Sequence, residues 1–440
     1  MASEETPTMA PPTAPNPTPT TADPEKNSGP HTWAVRLVTV GIVLAALNLR
    51  PAITSLGALL EEVRDGLGMS GSLAGLLTSV PPLCFAVFGS MAPRLAKRFG
   101  ASAVVCFGMA AIAAGLVIRP YTGNTVAFLV ATALALMGIA VANVLMPVIV
   151  KRWFPEKVGT MTGLYSMALA AGTSMAAAVT VPVTDALGGD WKSGLAVWAA
   201  LGVAAVIPWL PLVREKRTGI APQQPAPAPD ARSAAPAEGD GLRIARSRTA
   251  WALACFFGLQ ATAAYITMGW MAQIFRDAGV SASTAGVLLA VCMVMGVPLG
   301  FVIPRVAARL PSQGPMVVFL GVCGLAGYAG LYFAPASGAW AWAVLLGISN
   351  CAFPLALTMV GMRARTGPGV VKLSAFAQST GYLISIPGPL LVGVLYQHSG
   401  GWGVPIALMA ALMVPQIVVG VFAGRNRTVE DEATAQAPTS

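Results

Sequence analysis

From Trp33 to Ala423 the chain alternates long apolar runs with short polar breaks. Twelve runs are counted, near 33–60, 72–91, 101–118, 124–150, 159–182, 194–213, 250–275, 282–303, 315–334, 338–362, 372–395 and 403–423. Each is long enough to cross about 30 Å of hydrocarbon as a helix. Gly and Pro recur inside them, as membrane helices tolerate when neighbours re-satisfy the backbone. The pattern predicts an all-α membrane protein of twelve transmembrane helices in two six-helix bundles, residues 33–213 and 249–424.

The flanking segments read differently. Residues 1–32 are rich in Pro, Thr and Ala without periodicity, which predicts a disordered tail and no cleavable signal peptide. Residues 214–248 form a Pro/Ala-rich, charged linker, and 425–440 a polar, mobile tail.

Composition agrees with this reading: 55% of the 440 residues are hydrophobic and only 10% charged, against about 25% charged in soluble domains. The net charge of +9 raises nucleic acid as a partner. Placement along the chain removes it. With the N-terminus inside, all but five of the 27 Lys and Arg fall on cytoplasmic segments, four (Arg64, Arg119, Lys192, Arg276) lie outside, and Arg50 sits within a run. That distribution follows the positive-inside rule and predicts a multi-pass protein of the plasma (inner) membrane with both termini cytoplasmic. The expected partners are the lipid bilayer and a small-molecule or anionic solute, with a monomer as the working unit.

The two bundles are copies. Gly89, Pro93, Arg94 and Arg98 in GSMAPRLAKR match Gly300, Pro304, Arg305 and Arg309 in GFVIPRVAAR at one constant spacing, and Ser70, Ser72 and Gly75 pair with Ser281, Ser283 and Gly286 at the same spacing. Asn143 and Pro147 match Asn350 and Pro354 at a slightly shorter one. A parallel duplication of this kind encloses a midplane site that rocking exposes to alternate sides.

The segment after the second run resembles the Gly-x-x-x-Asp-Arg-x-Gly-Arg-Arg signature of major facilitator transporters, with Gly89, Arg94, Lys97 and Arg98 in place and departures at Pro93 and Ala96. The resemblance implies a conformational role at the cytoplasmic gate for Gly89, Arg94, Arg98, Gly300, Arg305 and Arg309, the alternative being that the basic residues only staple the cytoplasmic helix ends under positive-inside placement. LNLRP (47–51), NVLMPVIVKRWFP (143–155), MTGLYS (161–166) and FFGLQATAAY (256–265) with Trp270 are similar to the cyanate and 2-nitroimidazole porter group of that superfamily. That similarity implies cyanate-like or nitroimidazole-like substrates.

Every acidic residue can be placed outside the bilayer, so Arg50 is read as the one embedded charge. A central Arg costs about 2.5 kcal/mol or more on insertion scales and persists where it faces a cavity or partner. Its planar fork suits small oxyanions and planar polar groups. Arg50 is therefore the expected substrate-binding cation, the alternative being a backbone cap beside Pro51. Asn48, Asn143, Tyr165, Gln260, Tyr265, Asn350, Gln378 and Tyr382 stand at comparable depth as binding candidates, each also suited to helix–helix hydrogen bonds. Trp270 lies nearer the external end, where a gate or belt role is expected.

The two histidines, His31 and His398, fall outside the runs, and the six cysteines lack metal-ligand spacing. No catalytic residue, metal or cofactor is expected, and an intramembrane protease or metalloenzyme is disfavoured. Without a visible proton relay, a monoanion would enter against about 2.3 kcal/mol per 100 mV. The rival readings are a drug or metabolite exporter of the same superfamily and a membrane receptor or scaffold that does not translocate.

Overall fold

In the computed structural model, residues 32–214 and 244–435 are described. The expected 1–31 part of the tail and the linker over 215–243 lie outside these residues. The described chain is helical throughout, with no strand among the described residues.

Twelve helices are long and apolar enough to span a membrane: α1 (Trp33–Ala58), α2 (Gly71–Phe99), α3 (Ala101–Tyr121), α4 (Thr125–Trp153), α5 (Thr160–Ala186), α6 (Trp191–Trp209), α7 (Arg248–Asp277), α8 (Ala282–Arg309), α9 (Gly314–Phe333), α10 (Ala339–Met362), α11 (Gly369–Ser399) and α12 (Gly403–Ala423). The protein is a multi-pass membrane protein. Alternation puts Lys97, Arg98, Lys151, Arg152, Arg305 and Arg309 at one end, here the basic face, and Glu61, Glu62, Arg276 and Asp277 at the other, the far face.

Local chemistry sets the starts of these helices. Ser70 accepts from the Leu73 amide at the start of α2, and its repeat partner Ser281 accepts from the Thr284 amide at the start of α8. Each hydroxyl satisfies one of the amides a first turn leaves unbonded. Asn124, Ser247 and Thr366 cap α4, α7 and α11 in the same way.

Three features depart from the sequence reading. The signature segment 89–98, expected after the second helix, is itself helical: α2 runs through Pro93 to Phe99 and stops at Gly100, whose φ of 92° favours glycine. α8 likewise continues through Pro304 to Arg309. The tail after Arg425, expected mobile, forms a further helix, α13 (Val429–Ala435), whose Val429 is 1% exposed.

The third is α1, which is two pieces, Thr32–Asn48 and Pro51–Ala58. Pro51 has no N–H for the Leu47 carbonyl and its ring disfavours helical geometry before it. Arg50 takes φ −121°, and its carbonyl accepts from the Ile53 and Thr54 amides at 2.9 and 3.1 Å, starting the second piece.

The halves meet tightly on the far face. The Ser72 amide and hydroxyl donate to Gln397 Oε1 at 2.9 and 2.8 Å, joining α2 to α11. Trp270 Nε1 donates to Thr78 Oγ1 at 3.1 Å, joining α7 to α2. Gly57 lies so close to α7 that a Cβ there would overlap the Met268 carbonyl oxygen. Arg276 reaches Glu61 at 2.8 Å and Glu62 at 2.9 Å. Toward the basic face, Gly296 and Gly300 of α8 have open space where a Cβ would point.

Candidate functional site

Between the halves lies a cavity of ≈ 580 Å³, walled by α1 and α5 from the first half and by α7, α8, α10 and α11 from the second. It includes Gly296, Gly300 and Phe301, so it extends toward the basic face, while the far-face contacts close it above.

Arg50 enters this cavity from the break in α1. Its guanidinium lies beside Tyr265, Tyr382 and Tyr165, and 5.8 Å from the centre of the Phe85 ring. Phe85 stacks on Tyr382 with ring centres 5.1 Å apart, and Phe257 meets Tyr382 edge-on at 5.2 Å. Among the described residues no carboxylate makes an ion pair with Arg50. Aromatic faces and phenol oxygens stabilise a guanidinium only in part, so a small anion or strong acceptor entering the cavity meets an incompletely matched cation.

Of the residues singled out from the sequence, Arg50, Gln260, Tyr265, Asn350 and Tyr382 come together on the cavity wall. Gln260 is 2% exposed; its Nε2 donates to the Asn350 carbonyl at 3.5 Å and its Oε1 has no hydrogen-bond partner. The Asn350 side chain turns instead to Cys292 Sγ at 3.6 Å. Tyr165 stands behind Arg50 and donates to Asn143 Oδ1 at 2.5 Å, so this pair ties α5 to α4 just off the cavity. Asn48 is fully buried against α3, its Nδ2 3.9 Å from Met109 Sδ, and does not line the cavity. Gln378 donates to Ser374 Oγ at 2.8 Å along its own helix and is also off the wall. Trp270 is fully buried at the closed far face. Of the residues assigned to the gate, Arg94, Arg98, Arg305 and Arg309 are exposed at the basic face, Gly89 is buried, and Gly300 lines the cavity.

The sequence reading missed two kinds of residue. Phe257 on the cavity wall and Phe85 behind Arg50 and Tyr382 were not singled out as site residues, although Phe257 lies in the quoted 256–265 segment. More consequential are two arginines placed outside the bilayer by the sequence reading that prove to be buried in protein at helix ends: Arg119 is 0% and Arg363 1% exposed. Arg363 donates to the Ala423 carbonyl at 2.9 Å, the Gly424 carbonyl at 2.8 Å and Gln313 Oε1, fastening the basic-face ends of α10, α9 and α12. Arg119 donates to the Ala52 carbonyl at 2.9 Å and Ser55 Oγ at 3.3 Å. A signal existed for Arg119. Arg64, Lys192 and Arg276 each have an acid within two residues, and Arg119 has none nearby.

Comparison with known proteins agrees with this architecture. A sequence profile of the Major Facilitator Superfamily matches residues 39–368. The chain is 32% identical over 397 residues to the 2-nitroimidazole transporter of Escherichia coli (strain K12), covering 90% of this chain and 97% of that protein. It is 28% identical over 380 residues to the cyanate transport protein CynX of the same organism, covering 86% and 94%. Among solved structures, the inward-open xylose transporter XylE from E. coli superposes with a TM-score of 0.68 at 12% identity, covering 91% of this chain and 99% of that one. With matching fold, duplication and near-complete coverage, the chain belongs to the Major Facilitator Superfamily and is a transporter related to the nitroimidazole and cyanate transporters.

Proposed function

We infer that the protein carries a small polar or anionic solute, such as a nitroimidazole-like compound or cyanate, by alternating access, with Arg50 as the binding cation. The observation that supports this is an Arg50 guanidinium in a cavity shared by both halves, surrounded by tyrosines and, among the described residues, paired with no carboxylate. Gln260, Tyr265, Asn350 and Tyr382 would complete the site as donors and acceptors. The basic face is taken as cytoplasmic in a plasma membrane, on the positive-inside rule, which makes the state described here inward-facing. One chain holds both halves of the cavity, so a monomer suffices.

One observation favours a second reading, export of a larger drug or metabolite. The cavity of ≈ 580 Å³ far exceeds a triatomic anion, which fills roughly two waters' worth of space, about 60 Å³.

Proteoliposome uptake of 2-nitroimidazole and of cyanate, for the wild type and for Arg50→Lys and Arg50→Gln, tests the proposal. Uptake by the wild type with KM raised in both variants is expected. Unchanged KM in both overturns the role of Arg50, and wild-type proteoliposomes inert toward both compounds overturn the proposed solute class.

A further inference from the structure

The second piece of α1, Pro51–Ala58, is an unusual mechanical part. Its eight residues span about 12 Å, every one is buried, and both ends leave helical geometry, at Arg50 (φ −121°) and at Leu59 (φ −112°, ψ 22°). Its rotation is not fixed by an unbroken helix, although a short helix, Leu60–Gly66, follows after the single residue Leu59. Yet the half-helix carries Arg50 at its start, and Glu61 and Glu62 follow three and four residues after its end. A turn of this half-helix about its axis would swing the Arg50 side chain out of the cavity.

Besides its packing on α5, two close contacts hold it. One is the approach of Gly57 to the Met268 carbonyl of α7. That helix belongs to the other half, so this contact separates when the far face opens. The second comes from its own half: Arg119, at the far-face end of α3, places NH1 on the Ala52 carbonyl and NH2 on Ser55 Oγ. Ala52 and Ser55 are three apart, hence on one face of the half-helix, and a planar fork spanning them resists rotation in a way one hydrogen bond does not. Arg119 is fully buried, its Nε has no partner, and among the described residues no carboxylate pairs with it. A buried guanidinium without a counter-ion is costly unless its hydrogen bonds are kept.

We propose that Arg119 is a positioning residue of the transport cycle: its fork locks the rotation of Pro51–Ala58 in both conformations, keeping Arg50 aimed into the cavity after the α7 contact is lost. Its role in solute affinity rests on the reading of Arg50 as the binding cation; its role in aiming position 50 does not.

The test separates the two. In full-length protein with the six cysteines replaced by alanine, Arg50→Cys is labelled with the anionic thiol reagent methanethiosulfonate ethylsulfonate, with and without Arg119→Met, Arg119→Lys or Ser55→Ala. Labelling about tenfold slower with Arg119→Met and intermediate with Arg119→Lys, which lacks the fork, and with Ser55→Ala is expected. Should Arg119→Met not fold, Ser55→Ala, which removes one acceptor, decides the matter through the same labelling rate. Labelling rates unchanged in the folded variants overturn the proposal. In a second arm, 2-nitroimidazole uptake is measured with the native cysteines and Arg50 in place. Arg119→Met is expected to raise KM about tenfold, some 1.4 kcal/mol, with Vmax within about twofold; an equal fall in Vmax at constant KM overturns the positioning role. If Arg50→Lys leaves uptake unchanged while labelling still depends on Arg119, the reading of Arg50 fails and the positioning of the half-helix stands.

Discussion

α1 and α7 open the two copies of the duplicated bundle, yet they are built differently. α7 is one unbroken helix of 30 residues that offers Gln260 and Tyr265 to the cavity as a wall. α1 is broken beside its midpoint, and the break carries the cation. Freed backbone is tolerated at membrane depth only where it lines a cavity or is buried in protein. The broken helix offsets its interruption with close packing: Gly172 of α5 stands against the Leu47 carbonyl that Pro51 leaves without an amide, so near that a Cβ would overlap it. A duplication thus yields a cavity with the cation on one side and neutral hydrogen-bonding groups on the other.

Replacing the cation should have the largest effect. Arg50→Gln keeps a donor and removes the charge; charge-assisted hydrogen bonds contribute about 1.5–3 kcal/mol, so KM for 2-nitroimidazole uptake is expected to rise about 10- to 100-fold. Placing an arginine on the other wall, Gln260→Arg in an Arg50→Gln background, asks whether position matters as well as charge, and recovery of less than a tenth of the lost affinity is expected.

Gly57→Leu attacks the contact between the two helices. The added side chain has no room against the Met268 carbonyl, and overpacking costs about 1–3 kcal/mol. The expected outcome is a shift toward the far-face-open state, read as increased labelling of a cysteine at Thr78.

The ionic contact above it should matter less. Arg276 is partly exposed beside Glu61 and Glu62, and exposed pairs contribute about 0.2–1 kcal/mol. Arg276→Gln should shift the same labelling about two- to fivefold in the same direction, and about 0.5 M salt should reproduce part of the shift in the wild type.

The smallest effect is expected outside the α1 and α7 cores, where α13 caps the start of α7. Glu432 accepts from Ser247 Oγ at 2.7 Å, Thr249 Oγ1 at 2.7 Å and the Thr249 amide at 3.2 Å. Burial favours its neutral form, but these hydrogen bonds prevail and hold the carboxyl below its usual range. A depressed carboxylate stabilises the docked state above the unfolded pKa and loses that contribution as pH falls through the folded one. Amide protection in α13, corrected for the slower intrinsic exchange in acid, should therefore fall below the usual carboxylate range, and Glu432→Gln should show lower protection already at neutral pH.

Much of this architecture was legible in the chain. Apolar runs report helix number because lipid demands about twenty apolar residues per crossing, and the repeated Ser70 and Ser281 caps mark equivalent starts. The helical continuation through Pro93 and Pro304 was not legible, because a proline after a long run reads as a stop unless the surrounding packing is known. Among site residues, Arg50 stood out as a charge in an apolar run. Asn48 and Gln378 shared its depth but not its direction, since depth is a property of sequence position and direction depends on where a helix is rotated. Arg119 was only half hidden: the lack of a nearby acid set it apart, but it sits at a run's end, where snorkelling to water is the ordinary expectation, and its inward turn to α1 shows only in the folded chain.

The closed far face also supplies an optical gauge. Trp270 is fully buried, 5.7 Å from Trp402 and 6.1 Å from Tyr396 between ring centres, with its indole N–H on Thr78 across the junction. Separation of the halves would hydrate this indole and redden its emission. The difference spectrum between wild type and Trp270→Phe would then follow the turnover of single transport cycles in real time, without any attached dye.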